Sequence, residues 1–194
     1  MGYYYYLGAQ LPYLVYGQEV PMSSGAFRVL AHDTMDPPDA ALLDRCTLDP
    51  DPLDPSQIKE GSAAAYAEPA PPTTSEFINR WLEWERTLRL NLARGRALKL
   101  KREGAAEAPE YPADAVTAAK NALAIESPLE AEFFLDKARW SAIESFQGIN
   151  TFSESAMYAF LLKLLLLERR ALFNTERGYT EYKALYTAIL GEPK

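Results

Sequence analysis

Glu130, Glu132 and Asp136 place three carboxylates along one stretch of predicted helix, and such groups hold paired metal ions when histidine follows in an ExxH pattern. The histidines of that pattern are absent. Glu126, Glu130 and Glu132 read instead as the acidic first turn of a helix, where negative charge meets the positive end of the helix dipole. The single histidine, His32, lies in Leu30-Ala31-His32-Asp33-Thr34 with no Cys or His cluster to complete a zinc site, and it reads as a surface residue at a helix end. Cys46, the only cysteine, has neither a disulfide partner nor a CxxC neighbour and reads as a small core residue. The sequences GxxxxGK[ST], GxSxG and HExxH do not occur, nor does GxGxxG after a strand. The expectation is a chain that is not catalytic by itself and needs no metal or cofactor.

The remaining chemistry is that of contact. Glu85 and Arg89 stand four apart, in the favourable order for a helical ion pair, and suit an interface lock better than a reaction. Arg94, Arg96, Lys99, Lys101 and Arg102 crowd the end of the same helix, where positive charge opposes the negative end of the dipole. That effect fades within one turn, so part of the run calls for an acidic partner surface. Phe77, Trp81 and Trp84 follow helical spacing among leucines and read as core, although two indoles one turn apart also suit an anchor for a partner helix. The candidate partner-binding set is therefore Trp81, Trp84, Arg89, Arg94, Arg96, Lys99 and Arg102.

The elements that must carry these residues are helices. Apolar positions at steps of three and four predict a long helix from Thr74 or Ser75 to about Lys101, with Phe77, Trp81, Trp84, Leu88 and Leu92 on one face. Before it, Ser24 to Asp33 and Ala40 to Cys46 form a helical hairpin, with Asp36 capping the second helix ahead of Pro37. Asp114 opens an alanine-rich helix running to about Ile125. Ser127-Pro128-Leu129-Glu130 combines an N-cap serine, a first-turn proline and a capping-box glutamate, and Gly148 ends the helix it opens. Thr151-Phe152-Ser153-Glu154 reads as a second capping box, ahead of Ala156 to Leu167, which is apolar on nearly every side and suits the centre of a bundle. A last helix is expected over 180–190. For the opening Tyr3-Tyr4-Tyr5-Tyr6-Leu7, propensity favours a short strand and the spacing of Leu7, Leu11 and Leu14 favours a helix, so both stay open. The expected fold is all-α, an irregular bundle of about six or seven helices. Its organisation is an N-terminal aromatic segment and hairpin over 1–47, a Pro/Ala-rich linker over 48–73 and the main bundle over 74–194.

The charge distribution narrows the class of partner. Residues 1–76 hold 11 acids against 3 bases, 77–102 hold 2 against 8, and 103–194 hold 14 against 9. A basic island inside an acidic chain of net charge −7 argues against nucleic acid, because both flanks repel phosphate. The longest apolar run, Ala156 to Leu167, is interrupted by Lys163 and is too short to span a bilayer. The N-terminus lacks the pattern of a secretory signal, which leads to the expectation of a cytoplasmic protein, peripheral at most to a membrane complex.

The opening Tyr3 to Pro12, the helix Phe77 to Ala97 with its Arg80-Trp81-Leu82-Glu83-Trp84-Glu85-Arg86 core, and the stretch from Ser127-Pro128-Leu129-Glu130 through Leu161-Leu162-Lys163-Leu164 resemble an uncharacterised bacterial family encoded in V-type ATPase operons. The resemblance implies a non-catalytic helical subunit or assembly factor of a V/A-type ATPase, with ATPase subunits as partners. More distantly the family is similar to the d-like subunit of these pumps, the all-helical funnel that couples the rotor shaft to the membrane ring. The chain is short for a three-lobed funnel, and its Pro/Ala-rich linker stands where helices would be expected. The alternative is a free-standing helical adaptor that binds another protein through its tryptophan face or the Leu164 to Leu167 side.

Overall fold

The structure, a computed structural model, describes residues 3–48, 71–101 and 107–173. Within these the protein is all-α, with seven α-helices and one short 3₁₀ turn. Helix α1 spans Tyr5–Gln10, α2 Ser24–Thr34, α3 Pro37–Leu42, α4 Glu76–Lys99, α5 Ala113–Ala124, α6 Pro128–Gln147 and α7 Glu154–Leu172. Tyr5 and Tyr6 thus open a helix with Tyr4 at its N-cap, and the only β pairing among the described residues is a single bridge from Tyr3 to Ser153. Burial explains the choice: with one turn of helix, Tyr4 and Leu7 both reach the core while Tyr3, Tyr5 and Tyr6 stay outside.

Serine caps set the helix starts. The Ser23, Ser75, Ser127 and Ser153 hydroxyls accept from the backbone N–H groups of Ala26, Ile78, Glu130 and Ala156, filling donors that a helix start leaves unpaired. Two expected caps are corrected. Asp36 makes no side-chain cap bond, and only its carbonyl engages α3, accepting from Ala40 N–H. The box expected at Thr151 is displaced to Ser153, because Asn150 already turns the chain: its side-chain oxygen accepts from Phe152 N–H and its carbonyl from the Ser153 hydroxyl. Gly148 ends α6 with φ +73°, a conformation that costs glycine little.

Helix α7 occupies the centre. Met157, Tyr158, Leu161, Leu162 and Leu164 on it are fully buried, and α6 packs against it in the opposite direction. The pairs Arg139 with Glu85 and Arg80 with Phe146 show α4 running antiparallel to α6. Helix α5 runs parallel to the second half of α4: Trp84 bonds Asp114 at its start, and Gly95 meets Leu123 near its end. A parallel pair needs a return segment, and residues 107–112 supply its end, with the Pro109 and Tyr111 carbonyls accepting from Asn91 and Thr87. Gly95 suits the close approach of α4 and α5, because a Cβ there would run into the Leu123 side chain, which would have to shift.

Residues 3–47 contribute to this core. Phe27, Ala31, Ala40, Leu43 and Cys46 pack into the same apolar cluster as α4 and α7. Both described edges of the expected linker are tied down, Leu48 by burial and Thr73 by a two-way bond with the Asn79 side chain. Residues 49–70 and the helix expected over 180–190 lie outside the described residues.

Candidate functional site

Among the described residues, a charged group enclosed between α4 and α6 concentrates the buried polar chemistry. Glu85 on α4 and Asp136 and Arg139 on α6 are 1%, 0% and 4% exposed, which puts three ionisable side chains in the core. Arg139 Nε and Nη2 donate to both oxygens of Glu85 at 3.0 Å, and Nη1 donates to Asp136 Oδ1 at 3.2 Å. From the other side Arg89 Nε donates to Glu85 Oε1 at 2.7 Å while its Nη2 reaches the Leu48 carbonyl. Arg169 on α7 completes the group, donating to Glu132 Oε2 at 2.8 Å and lying 3.9 Å from Asp136 Oδ1.

Local sequence explains why these side chains meet. Asp136 and Arg139 are three apart and Glu85 and Arg89 four apart, so each pair shares one face of its helix. Leu135, Trp140, Ala142 and Ile143 carry the same face of α6 into the core and take Arg139 with it. The electrostatics differ at the two carboxylates. Burial pushes the Glu85 carboxyl up, but the charges and hydrogen bonds of Arg139 and Arg89 outweigh it and hold the group below its ordinary range. At Asp136 burial dominates over Arg169 and Arg139, and the carboxyl is raised. Among the described residues, Asp136 Oδ2 is the one buried side-chain polar atom without a hydrogen-bond partner. Both oxygens of Glu85 accept from guanidinium donors, so this arrangement locks α4 to α6.

The sequence-predicted contact residues fall into two groups. Trp81 and Trp84 are 0% and 1% exposed, stacked at 6.0 Å with nearly parallel rings, and their indole N–H groups donate to the Thr47 carbonyl and to Asp114 Oδ2. Both are therefore core residues, and the reading of them as partner anchors is corrected: on one helical turn facing α5 and the hairpin they present no surface. The Leu164 to Leu167 side is enclosed as well, with Leu164, Leu166 and Leu167 buried. Arg89 belongs to the buried network. Arg94, Arg96 and Lys99 are exposed at the end of α4, where Lys99 Nζ donates to the Leu123 carbonyl at the end of α5. Arg102 lies outside the described residues.

Sequence reasoning found the Glu85 and Arg89 pair but missed Arg139, which lies 54 positions away. The signal was present in an arginine set among Leu135, Trp140 and Ile143 on an apolar face, where a charge is kept only if it meets a partner. A second feature also escaped the sequence. Arg170 lies over the rings of Tyr16 and Phe133 at 5.0 and 4.5 Å and donates to the Tyr16 hydroxyl, which itself donates to the Phe133 carbonyl. This stack fastens the segment after α1 to α6 and α7.

His32 is exposed at the end of α2 and Cys46 is enclosed, with burial pushing its thiol far up. Among the described residues no group of three His, Cys, Asp or Glu side chains is placed to hold a metal ion. An open depression of about 600 Å³ between the hairpin and α7 includes Arg28, Leu48 and Arg169. Its guanidinium groups are engaged, Arg28 with the Leu43 and Cys46 carbonyls and Asp44, and Arg169 with Glu132. No described helix is long and apolar enough to cross a membrane. No family model matches the chain, nor does any curated protein or solved structure.

Proposed function

We propose that this chain is a non-catalytic helical subunit or assembly factor of a bacterial V/A-type ATPase and joins that complex through the basic end of α4. The resemblance of its opening segment, long helix and α6–α7 stretch to a family encoded in V-type ATPase operons motivates the reading. One observation carries the contact: Arg94 and Arg96 are exposed and, unlike the arginines of the core network, are not committed to carboxylates among the described residues. Cations on a rigid helix, in a chain of net charge −7, suit an acidic surface on another protein of the complex. Coupling of rotor shaft to membrane ring, in the manner of the d-like funnel, is the finer form of the proposal. The cytoplasmic face of the membrane is the location it requires.

Affinity purification of the tagged chain from its native host tests the reading. ATPase subunits are expected to co-purify in mild detergent, and recovery of none of them would refute it. The paired reversal Arg94→Glu with Arg96→Glu is expected to reduce their recovery while far-UV circular dichroism stays unchanged. Recovery of a different protein in their place would instead establish the free-standing adaptor. That reading now has to use some surface other than the tryptophan face and the Leu164 to Leu167 side, both of which are enclosed.

A further inference from the structure

Packing on α5 accounts for one side of the last turns of α4. On that side Gly95 meets the Leu123 side chain and Lys99 Nζ donates to the Leu123 carbonyl. The other side chains of these turns face away. Arg94, Arg96, Leu98, Leu100 and Lys101 are all exposed, the two leucines by 61% and 65%. A helix turns by about 100° per residue, so Arg94 with Leu98 and Arg96 with Leu100, each pair four apart, stand on roughly opposite flanks. Leu100 keeps its helical place, its N–H donating to the Arg96 carbonyl at 3.0 Å. Lys101 then closes the helix at φ +52°, with its N–H donating to the Leu98 carbonyl. Glycine is the usual residue in that left-handed conformation, and lysine there keeps a further cation at the tip at a backbone cost.

The tip of α4 is therefore a post braced on one side by α5, with an arginine and a leucine on each flank. Among the described residues no carboxylate lies within ion-pair distance of Arg94, Arg96, Lys99 or Lys101. The helix dipole accounts for cations in the last turn, but it gives no reason for leucines to stand in solvent beside them. Apolar surface flanked by unpaired cations is complementary to apolar side chains flanked by carboxylates. A lipid interface takes up one apolar face of a helix and not two opposed flanks, and leucines add nothing to phosphate binding.

We infer that the end of α4 docks a partner-protein segment that alternates carboxylates with apolar residues and curls round both flanks of the helix. The carboxylates pair with Arg94, Arg96 and Lys101, and the apolar side chains cover Leu98 and Leu100. The inference rests on the proposed use of this end of α4 as a contact surface and not on the partner being an ATPase.

The test uses the full chain and fluorescein-labelled twelve-residue peptides that alternate glutamate with leucine, glutamate with serine, or glutamine with leucine, followed by anisotropy. The glutamate–leucine peptide is expected to bind, and the other two to bind about tenfold or more weakly. Leu98→Ser and Leu100→Ser, made singly, should each weaken the glutamate–leucine peptide severalfold with circular dichroism unchanged, and together they should remove its advantage over the glutamate–serine peptide. Arg94→Gln with Arg96→Gln should remove its advantage over the glutamine–leucine peptide. Equal binding of the glutamate–leucine and glutamate–serine peptides, or a single leucine variant that binds like the native chain, would overturn the proposal. Sedimentation with phosphatidylserine vesicles that is lost in the double leucine variant would also overturn it, assigning the tip to lipid. Selective peptide binding with no ATPase subunits in the purification would sink the ATPase reading and leave this inference in place, and co-purifying subunits without peptide selectivity would do the reverse.

Discussion

Replacing Arg139 by methionine keeps an unbranched apolar stem and removes the guanidinium at the centre of the charged group. In the native structure Arg139 supplies hydrogen bonds to both oxygens of Glu85 and to Asp136 Oδ1, and all three residues are at most 4% exposed. Without it two carboxylates remain in the core, faced only by Arg89 and Arg169, whose side chains are 20% and 29% exposed. Removing one partner of a buried ion pair costs about 3–5 kcal/mol, because the charge left behind has lost its compensation. For a chain of this size that corresponds to a fall in Tm of roughly 6–20 °C. Urea unfolding followed by tryptophan fluorescence measures it directly, since Trp84 adjoins Glu85 and Trp140 adjoins Arg139 in sequence. The triple variant Glu85→Leu, Asp136→Leu and Arg139→Met separates two explanations. Well-packed apolar replacements of a buried charged group are neutral or stabilising, so the triple variant should recover most of the loss. A loss below about 1 kcal/mol in Arg139→Met, or no recovery in the triple variant, would refute the reasoning.

The two carboxylates of the network should respond to pH with opposite sign. Glu85 is held below its ordinary range, so its contribution is present at neutral pH and lost as pH falls through its lowered folded value; Glu85→Gln should flatten acid unfolding. Asp136 is raised, so the folded state binds its proton more tightly and ionising it costs stability as pH rises through the raised value; Asp136→Asn should gain relative stability toward neutral pH, and a parallel slope for the two variants would contradict the assignment. Gly95→Ala should destabilise despite a helix-propensity gain of about 1 kcal/mol, and the same change in a Leu123→Ala background should become stabilising by about that amount, as read by thermal unfolding. Trp81→Ala should cost about 3–5 kcal/mol through loss of core packing, and a variant that unfolds like the native chain would restore Trp81 as a surface residue. Tyr4→Phe, which removes a hydrogen bond to a carboxylate, should cost about 1.5–3 kcal/mol in urea unfolding, and no change would show that the bond to Asp39 is not made in solution.

The features legible in the chain before any folding are local ones. The long helix from Ser75, the serine at position 127, the glycine stop at 148 and the apolar α7 follow from spacing and cap chemistry within a few residues, and the structure has each of them. The all-α class follows from the same periodicities. Which faces were left over depended on packing between distant segments. A tryptophan pair on a helical stripe has the same spacing whether it meets α5 or a partner, and only the placement of Asp114 and Thr47 beneath the indoles put both inside. Arg139 shows no charged neighbour on its own helix face except Asp136, and its main partner is brought to it by the antiparallel packing of α4 on α6. The four opening tyrosines are alike in type, yet one is buried and three are exposed, because the Tyr4 bonds to Phe152 and Asp39 fix the rotation of a single turn of helix. Periodicity specifies that a face exists, while the partner of that face is chosen by chain segments far away in sequence, and no local rule carries that information.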